Sequence, residues 1–276
     1  MRRTFEWLAI LGSLAYSLLF FFFSWGTEAA YVLALLPIML AWLVGRTWLA
    51  GAFMALLPMY FVIGQVTSEW PHYRPSFALD DLMPLRPEWM LVYGSLYLSG
   101  FLLPLVVIRG VELIHQTLKA YLFVMMVSYA CFLLYPTIAP RNEEVLITGF
   151  AEWSLKLFYD LDQPYGCFPS LHVAYAFVAA LACMRMHRLV GIAACGWATL
   201  IGVSTVYTKQ HYVVDALAGA MTALAAYAVF LRDRPRNGVN DVDRALAPRR
   251  AAFVVAAYVA AVVGFWAAYA FRTQPG

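Results

Sequence analysis

Residues 189–231 read LVGIAACGWATLIGVSTVYTKQHYVVDALAGAMTALAAYAVFL. Two apolar runs, Leu189–Tyr207 and Val213–Leu231, flank the polar stretch Thr208-Lys209-Gln210-His211-Tyr212. Each run is long enough, at about 1.5 Å of rise per residue, to cross a hydrocarbon core of about 30 Å as a helix. An isolated strand cannot satisfy its backbone in lipid, so both runs are predicted helices. The polar stretch between them returns the chain to one face of a membrane.

The same pattern extends outward from this hairpin. We read about nine apolar spans, near Trp7–Phe23, Ala29–Val44, Trp48–Val66, Trp89–Ile108, Leu118–Tyr135, Phe168–Met184, Leu189–Tyr207, Val213–Leu231 and Ala251–Ala270. Only 13% of the residues are charged and 63% are hydrophobic, whereas a soluble domain carries about 25% charge. The predicted fold class is an all-α, polytopic transmembrane helical bundle. Pro37, Pro58 and Pro104 fall inside runs and predict kinks. Arg2 and Arg3 precede the first run without a convincing cleavage pattern, so it is read as a retained helix.

Orientation follows from the basic residues. With the N-terminus in the cytoplasm, thirteen of the 19 lysines and arginines fall on the cytoplasmic side, as the positive-inside bias requires. The stretch 232–250 is read as a basic cytoplasmic loop near anionic headgroups. The loops Thr67–Glu88 and Pro136–Cys167 then lie outside. A net charge of +3 gives no reason to expect a nucleic-acid partner. Cys131, Cys167, Cys183 and Cys195 contain no C-x-x-C pair and read as small apolar packing residues.

Chemistry-bearing residues collect at that outer level. They are Arg141 after the fifth span, Pro169-Ser170-Leu171-His172 opening the sixth, and Ser204 to Asp215 joining the seventh and eighth. His211 and Asp215 stand four apart, so one helical turn puts them on a shared face. A carboxylate behind a histidine fixes its tautomer, which suits His211 as a nucleophile. His172 is placed to protonate a leaving oxygen. Ser170 and Ser204 offer hydroxyls, and Arg141 and Lys209 offer charge, to a phosphoryl group. Ionisable groups at the membrane edge are costly, and carrying several at one level points to function. No Asp/Glu cluster of the kind that holds Mg²⁺ stands near them. We therefore expect no metal and no cofactor.

The order and spacing of these residues resemble the type-2 phosphatidic acid phosphatase superfamily, whose pattern is K-x₆-R-P, then P-S-G-H, then S-R-x₅-H-x₃-D. The second motif here is Pro169-Ser170-Leu171-His172. The third is Ser204-Thr205-x₅-His211-x₃-Asp215, with identical spacing. The resemblance implies His211 as nucleophile, Asp215 as its orienter and His172 as acid. It also implies a six-helix core from the third to the eighth span. The expected division is two accessory helices over 1–47, the catalytic core over 48–231, the loop 232–250, and a last helix over 251–276.

Three departures narrow the resemblance. Leu171 replaces Gly, Thr205 replaces the phosphate-binding Arg, and Leu134 stands where the first motif has its Lys. Together with Leu79-Asp80-Asp81-Leu82-Met83-Pro84-Leu85-Arg86-Pro87, they look like the inositol phosphorylceramide synthase-like branch. That branch implies a membrane phospholipid donor and a lipid alcohol acceptor. Simple lipid phosphate phosphatase activity is the alternative, and a lipid transporter a more distant one. Asp80, Asp81 and Tyr207 are possible headgroup contacts. Asp160 and Asp162 read as solvated loop residues. The expected location is a bacterial inner membrane with the active site on its extracytoplasmic face.

Overall fold

The computed structural model describes residues 48–141, 144–233 and 239–273, and every named element is helical. The first two expected spans lie outside the described residues. The third is split at Pro58 into α1 (Trp48–Leu56) and α2 (Met59–Thr67), because proline lacks the N–H that would continue the ladder. After the short α3 (Ala78–Asp81), the fourth span runs Pro87–Val107. It contains α4 (Met90–Gly94), a π-helical segment Tyr97–Leu102, and α5 (Leu103–Val107). Then follow α6 (Val111–Leu134), α7 (Phe150–Leu161), α8 (Leu171–Met186), α9 (Arg188–Tyr207), α10 (Val213–Phe230) and α11 (Asp241–Thr273).

Five of these stretches are long and apolar enough to cross a membrane: Pro87–Val107, α6, α9, α10 and Asp241–Phe271. The α8 helix is apolar but shorter. Two expected loops need correction. The segment Pro136–Cys167 contains α7, whose Ser154 and Leu155 are buried. The expected loop 232–250 is helical from Asp241 onward, where Arg250 pairs with Asp243 two turns away at 2.7 Å.

At the centre α8 packs against α9, α10, α6 and the π-helical segment. Its run of alanines (Ala174, Ala176, Ala179, Ala180, Ala182) is buried and lets neighbouring helices approach closely. Phe53, Phe101, Tyr121 and Tyr175 fill the space beside it, with ring centroids 5.4–6.3 Å apart.

One close approach positions the site directly. A Cβ on Gly219 would stand 2.4 Å from the Ser170 carbonyl oxygen and 3.2 Å from Val173 Cβ. Only glycine lets α10 lie this near the start of α8, and the Ser170 N–H donates to the Asp215 carbonyl at 3.0 Å across the same seam. We expect Gly219→Ala to force these helices apart at a cost of about 1–3 kcal/mol. A thermal melt in detergent should show a lowered midpoint, with activity falling alongside it.

The connections around Tyr73, Arg86, Pro136 and Tyr207 meet one another. Tyr73 N–H donates to the Pro136 carbonyl and Arg86 N–H to the Tyr207 carbonyl, both at 2.9 Å. Isolated bridges pair Tyr73 with Thr137 and Ile138 with Tyr165.

Candidate active site

Each of the three principal residues sits at a helix start or end. His172 lies in the first turn of α8, which Ser170 caps by accepting from Val173 N–H at 3.4 Å. His211 lies between α9 and α10, held by donation of its own N–H to the Thr205 carbonyl at 3.1 Å. Asp215 lies in the first turn of α10, fully buried, and its Oδ2 accepts from Tyr212 N–H at 2.9 Å. A carboxylate at this place also complements the positive end of the helix.

The side chains form a continuous line. His211 Nδ1 is 3.5 Å from Asp215 Oδ2. His211 Nε2 is 3.2 Å from His172 Nδ1. His172 Nε2 is 2.7 Å from the Tyr93 hydroxyl. With a proton on His211 Nδ1 facing the carboxylate, the Nε2 lone pair points at His172. His211 Nε2 thus faces His172 Nδ1, which brings the second and third motifs together.

The residues expected to bind phosphate all make contacts with protein groups. Ser170 is spent on its cap, and Ser204 donates to the Ile201 carbonyl at 2.6 Å; neither is exposed. Lys209, with a positive φ of 53°, reaches away to the Asp80 and Met83 carbonyls at 3.4 and 2.5 Å. Arg141 donates to the carbonyls of Tyr159, Asp162 and Gln163 and to the Gln210 side chain. It also pairs with Asp162 at 3.6 Å and lies over the Tyr159 ring. Its Nε is buried without a hydrogen-bond partner among the described residues. The hydroxyl of Thr205, in the place of the family's arginine, donates to the Gly202 carbonyl.

Two acidic residues are engaged with protein groups as well. Asp162 is not a solvated loop residue: it is largely buried, paired with Arg141 and bonded by the Tyr60 hydroxyl at 2.9 Å. Burial pushes its carboxyl up, and the Arg141 guanidinium opposes that shift. Asp80, a possible headgroup contact, is buried and uses both oxygens on backbone N–H groups, those of Phe77 and Val213, at 2.8 Å each. Asp81 is exposed, and the Tyr207 ring stacks on Trp89.

Cys167 also reaches the site. Its sulfur and ligand atoms of His211 and Asp215 lie within 4.8 Å of one another, a group that could hold a cation by residue type. Burial, reinforced by the nearby Asp215, pushes the thiol up and keeps it protonated. A protonated thiol is a poor ligand and a poor nucleophile. One carboxylate, one imidazole and one thiol also do not suit a hard cation such as Mg²⁺.

Residues 79–229, more than half of the 276, match the family model of the PAP2 superfamily. The chain belongs to the PAP2 superfamily. The match spans α4 to α10 and includes all three principal residues. PAP2 membership and the five apolar helices make this an integral membrane protein with a lipid phosphatase or phosphotransferase type of activity. No curated protein and no solved structure matches the chain.

Sequence reasoning missed two parts of this PAP2 site. Tyr93 lies in an apolar span, where a tyrosine reads as interface belt or packing. Tyr159, whose hydroxyl donates to the Thr208 carbonyl at 2.7 Å, lies on α7, which was read as loop. The polar–apolar alternation of α7 was the available signal for the second; the first had none.

Proposed function

We propose that the chain moves a phosphorylated headgroup from a phospholipid to a lipid alcohol, as expected of the inositol phosphorylceramide synthase-like branch. His211 Nε2 attacks the phosphorus, and an N–P bond forms as the P–O bond to the diacylglycerol oxygen breaks. Protonated His172 gives its Nδ1 proton to that oxygen. The acceptor hydroxyl then attacks the phosphohistidine, the N–P bond breaks, and the hydroxyl proton passes to His172 Nδ1. Asp215 stabilises the charge that His211 carries in between.

The observation that carries this reading is a full nucleophile line beside few free cations. Thr205 and Leu134 replace two family cations, and Arg141 and Lys209 are largely engaged with protein carbonyls. A phosphomonoester brings nearly two negative charges at neutral pH, and a phosphodiester brings one. A site with so little unspent positive charge suits the diester. Transfer to a lipid alcohol, rather than to water, follows the branch resemblance.

The test is product analysis. Purified protein in vesicles is given labelled phosphodiester phospholipids, phosphatidic acid and a panel of long-chain alcohols. Mass spectrometry should find the phosphorylated headgroup on an alcohol, with one diacylglycerol per transfer. Inorganic phosphate released from phosphatidic acid, without any transfer, would establish the phosphatase instead.

We also infer that the site faces away from the cytoplasm, on the strength of the basic-residue bias. Single cysteines at Asp81 and Arg244 should react with an impermeant reagent from opposite sides of intact cells. Reaction of both from one side would refute this orientation.

A further inference from the structure

We propose that Tyr93 is a positioning residue for the acid–base histidine: its hydroxyl keeps His172 Nε2 paired throughout the reaction, so that Nδ1 alone gives and takes the proton. This rests on the reading of His172 as acid and base given above.

The geometry is specific. Tyr93 is fully buried, and its hydroxyl stands 2.7 Å from His172 Nε2. The ring is held on its other side by Phe158 in an edge contact, with centroids 5.7 Å apart. The Tyr93 and His172 rings themselves lie 5.0 Å apart. In the proposed steps Nε2 keeps its proton in both forms of His172, so Nε2–H donates to the phenol oxygen before and after Nδ1 gives up its own proton.

The need for such a partner follows from burial. An imidazole nitrogen removed from water and left unpaired costs free energy in either state. With Nε2 always occupied by Tyr93, the nitrogen that changes state is Nδ1, which is the one facing His211 Nε2. The π-helical turn at Tyr97–Leu102 follows directly on the stretch that carries Tyr93 and packs against α8, which carries His172. Single π-helical turns commonly mark places where a helix is re-aimed at a functional site.

The test compares two diester donors in first-turnover formation of the His211 adduct. One has an alkoxide leaving group, as a phospholipid does; the other has a nitrophenolate, which leaves without a proton. Tyr93→Phe removes one oxygen and keeps the ring. It should slow adduct formation about 10–100-fold with the first donor, part of the 10²–10⁴-fold that acid–base groups supply. With the nitrophenyl donor the loss should be under threefold. In a His172→Ala background Tyr93→Phe should add nothing.

Equal losses on both donors, or a loss added on top of His172→Ala, would overturn the proposal. If His172→Ala itself loses equally on both donors, it is the acid assignment of His172 that falls, so the two failures are distinguishable. A 3-fluorotyrosine at position 93 keeps ring and hydroxyl, and so answers the question even where Tyr93→Phe does not fold. It makes the phenol oxygen a weaker acceptor for Nε2–H and should change the ratio of rates on the two donors; an unchanged ratio would count against Tyr93. Tyr97→Phe, which removes a neighbouring hydroxyl outside the line, should behave as the unaltered protein.

Discussion

His211→Ala is expected to abolish turnover and the covalent adduct together, a loss on the order of 10⁴–10⁶-fold by comparison with nucleophile deletions elsewhere. The ground is positional. Of the two histidines, only His211 has a carboxylate behind it, Asp215 Oδ2 at 3.5 Å from Nδ1, and only its Nε2 is thereby left with a lone pair directed into the site. His172 has a phenol behind it instead. The adduct should be sought with a donor labelled in its headgroup phosphate and quenched in alkali, where phosphohistidine persists, because acid destroys it. His172→Ala should still accumulate some adduct when the leaving group is good. A labelled adduct that survives in His211→Ala and vanishes in His172→Ala would exchange the two roles.

Asp215→Asn should cost about 10²–10⁴-fold in turnover, as orienting carboxylates do in other histidine-based sites. The reason is charge. Asp215 Oδ2 faces both the Tyr212 N–H, at 2.9 Å, and the imidazole Nδ1. An asparagine oxygen in that place can still accept from both donors. What it lacks is the negative charge that stabilises the imidazole as it becomes positive. The helix cap survives in that arrangement, so the melting midpoint should move little while activity collapses. Asp215→Ala removes the cap as well and should lower both. A turnover loss under threefold in Asp215→Asn would remove Asp215 from the mechanism.

How much of this could be read from the chain differs by residue. The convergence of His172, His211 and Asp215 was legible because their relation is local or motif-bound: a four-residue spacing across the start of α10, with His211 just before the helix rather than on it, and a Pro-Ser turn at the start of α8. The apolar runs from Trp89 onward were legible for the same reason, since length and hydropathy decide them. The contacts of Ser170, Ser204, Arg141, Lys209 and Asp80 were not. Their hydrogen-bond potential was visible, but its use depends on groups brought near by folding. Arg141 meets carbonyls from 159–163, and Asp80 meets the N–H of Val213, 133 residues away. A cation in an outer loop reads as a phosphate ligand until the carbonyls that claim it are known. The helix start at Asp241 was hidden by charge: a segment rich in Arg and Asp reads as solvated loop, whereas here Arg250 and Asp243 bridge two turns on one face.

The contact between the two histidines has a consequence for selectivity. A phosphorus poised for attack lies about 3–3.5 Å from the attacking nitrogen, and that place is already held by His172 Nδ1 at 3.2 Å from His211 Nε2. On the proposed roles, the acid at rest stops the mouth of the nucleophile. A ligand then has to displace His172 Nδ1 from this contact, and the energy for doing so has to come from contacts away from the phosphorus. A lipid brings acyl chains that can supply it; a small, water-soluble phosphate ester brings nothing comparable. The proposed function thus predicts a sieve for the hydrophobic part of the substrate. Shortening the chains of a donor should accordingly lower the rate of the chemical step itself as well as the affinity.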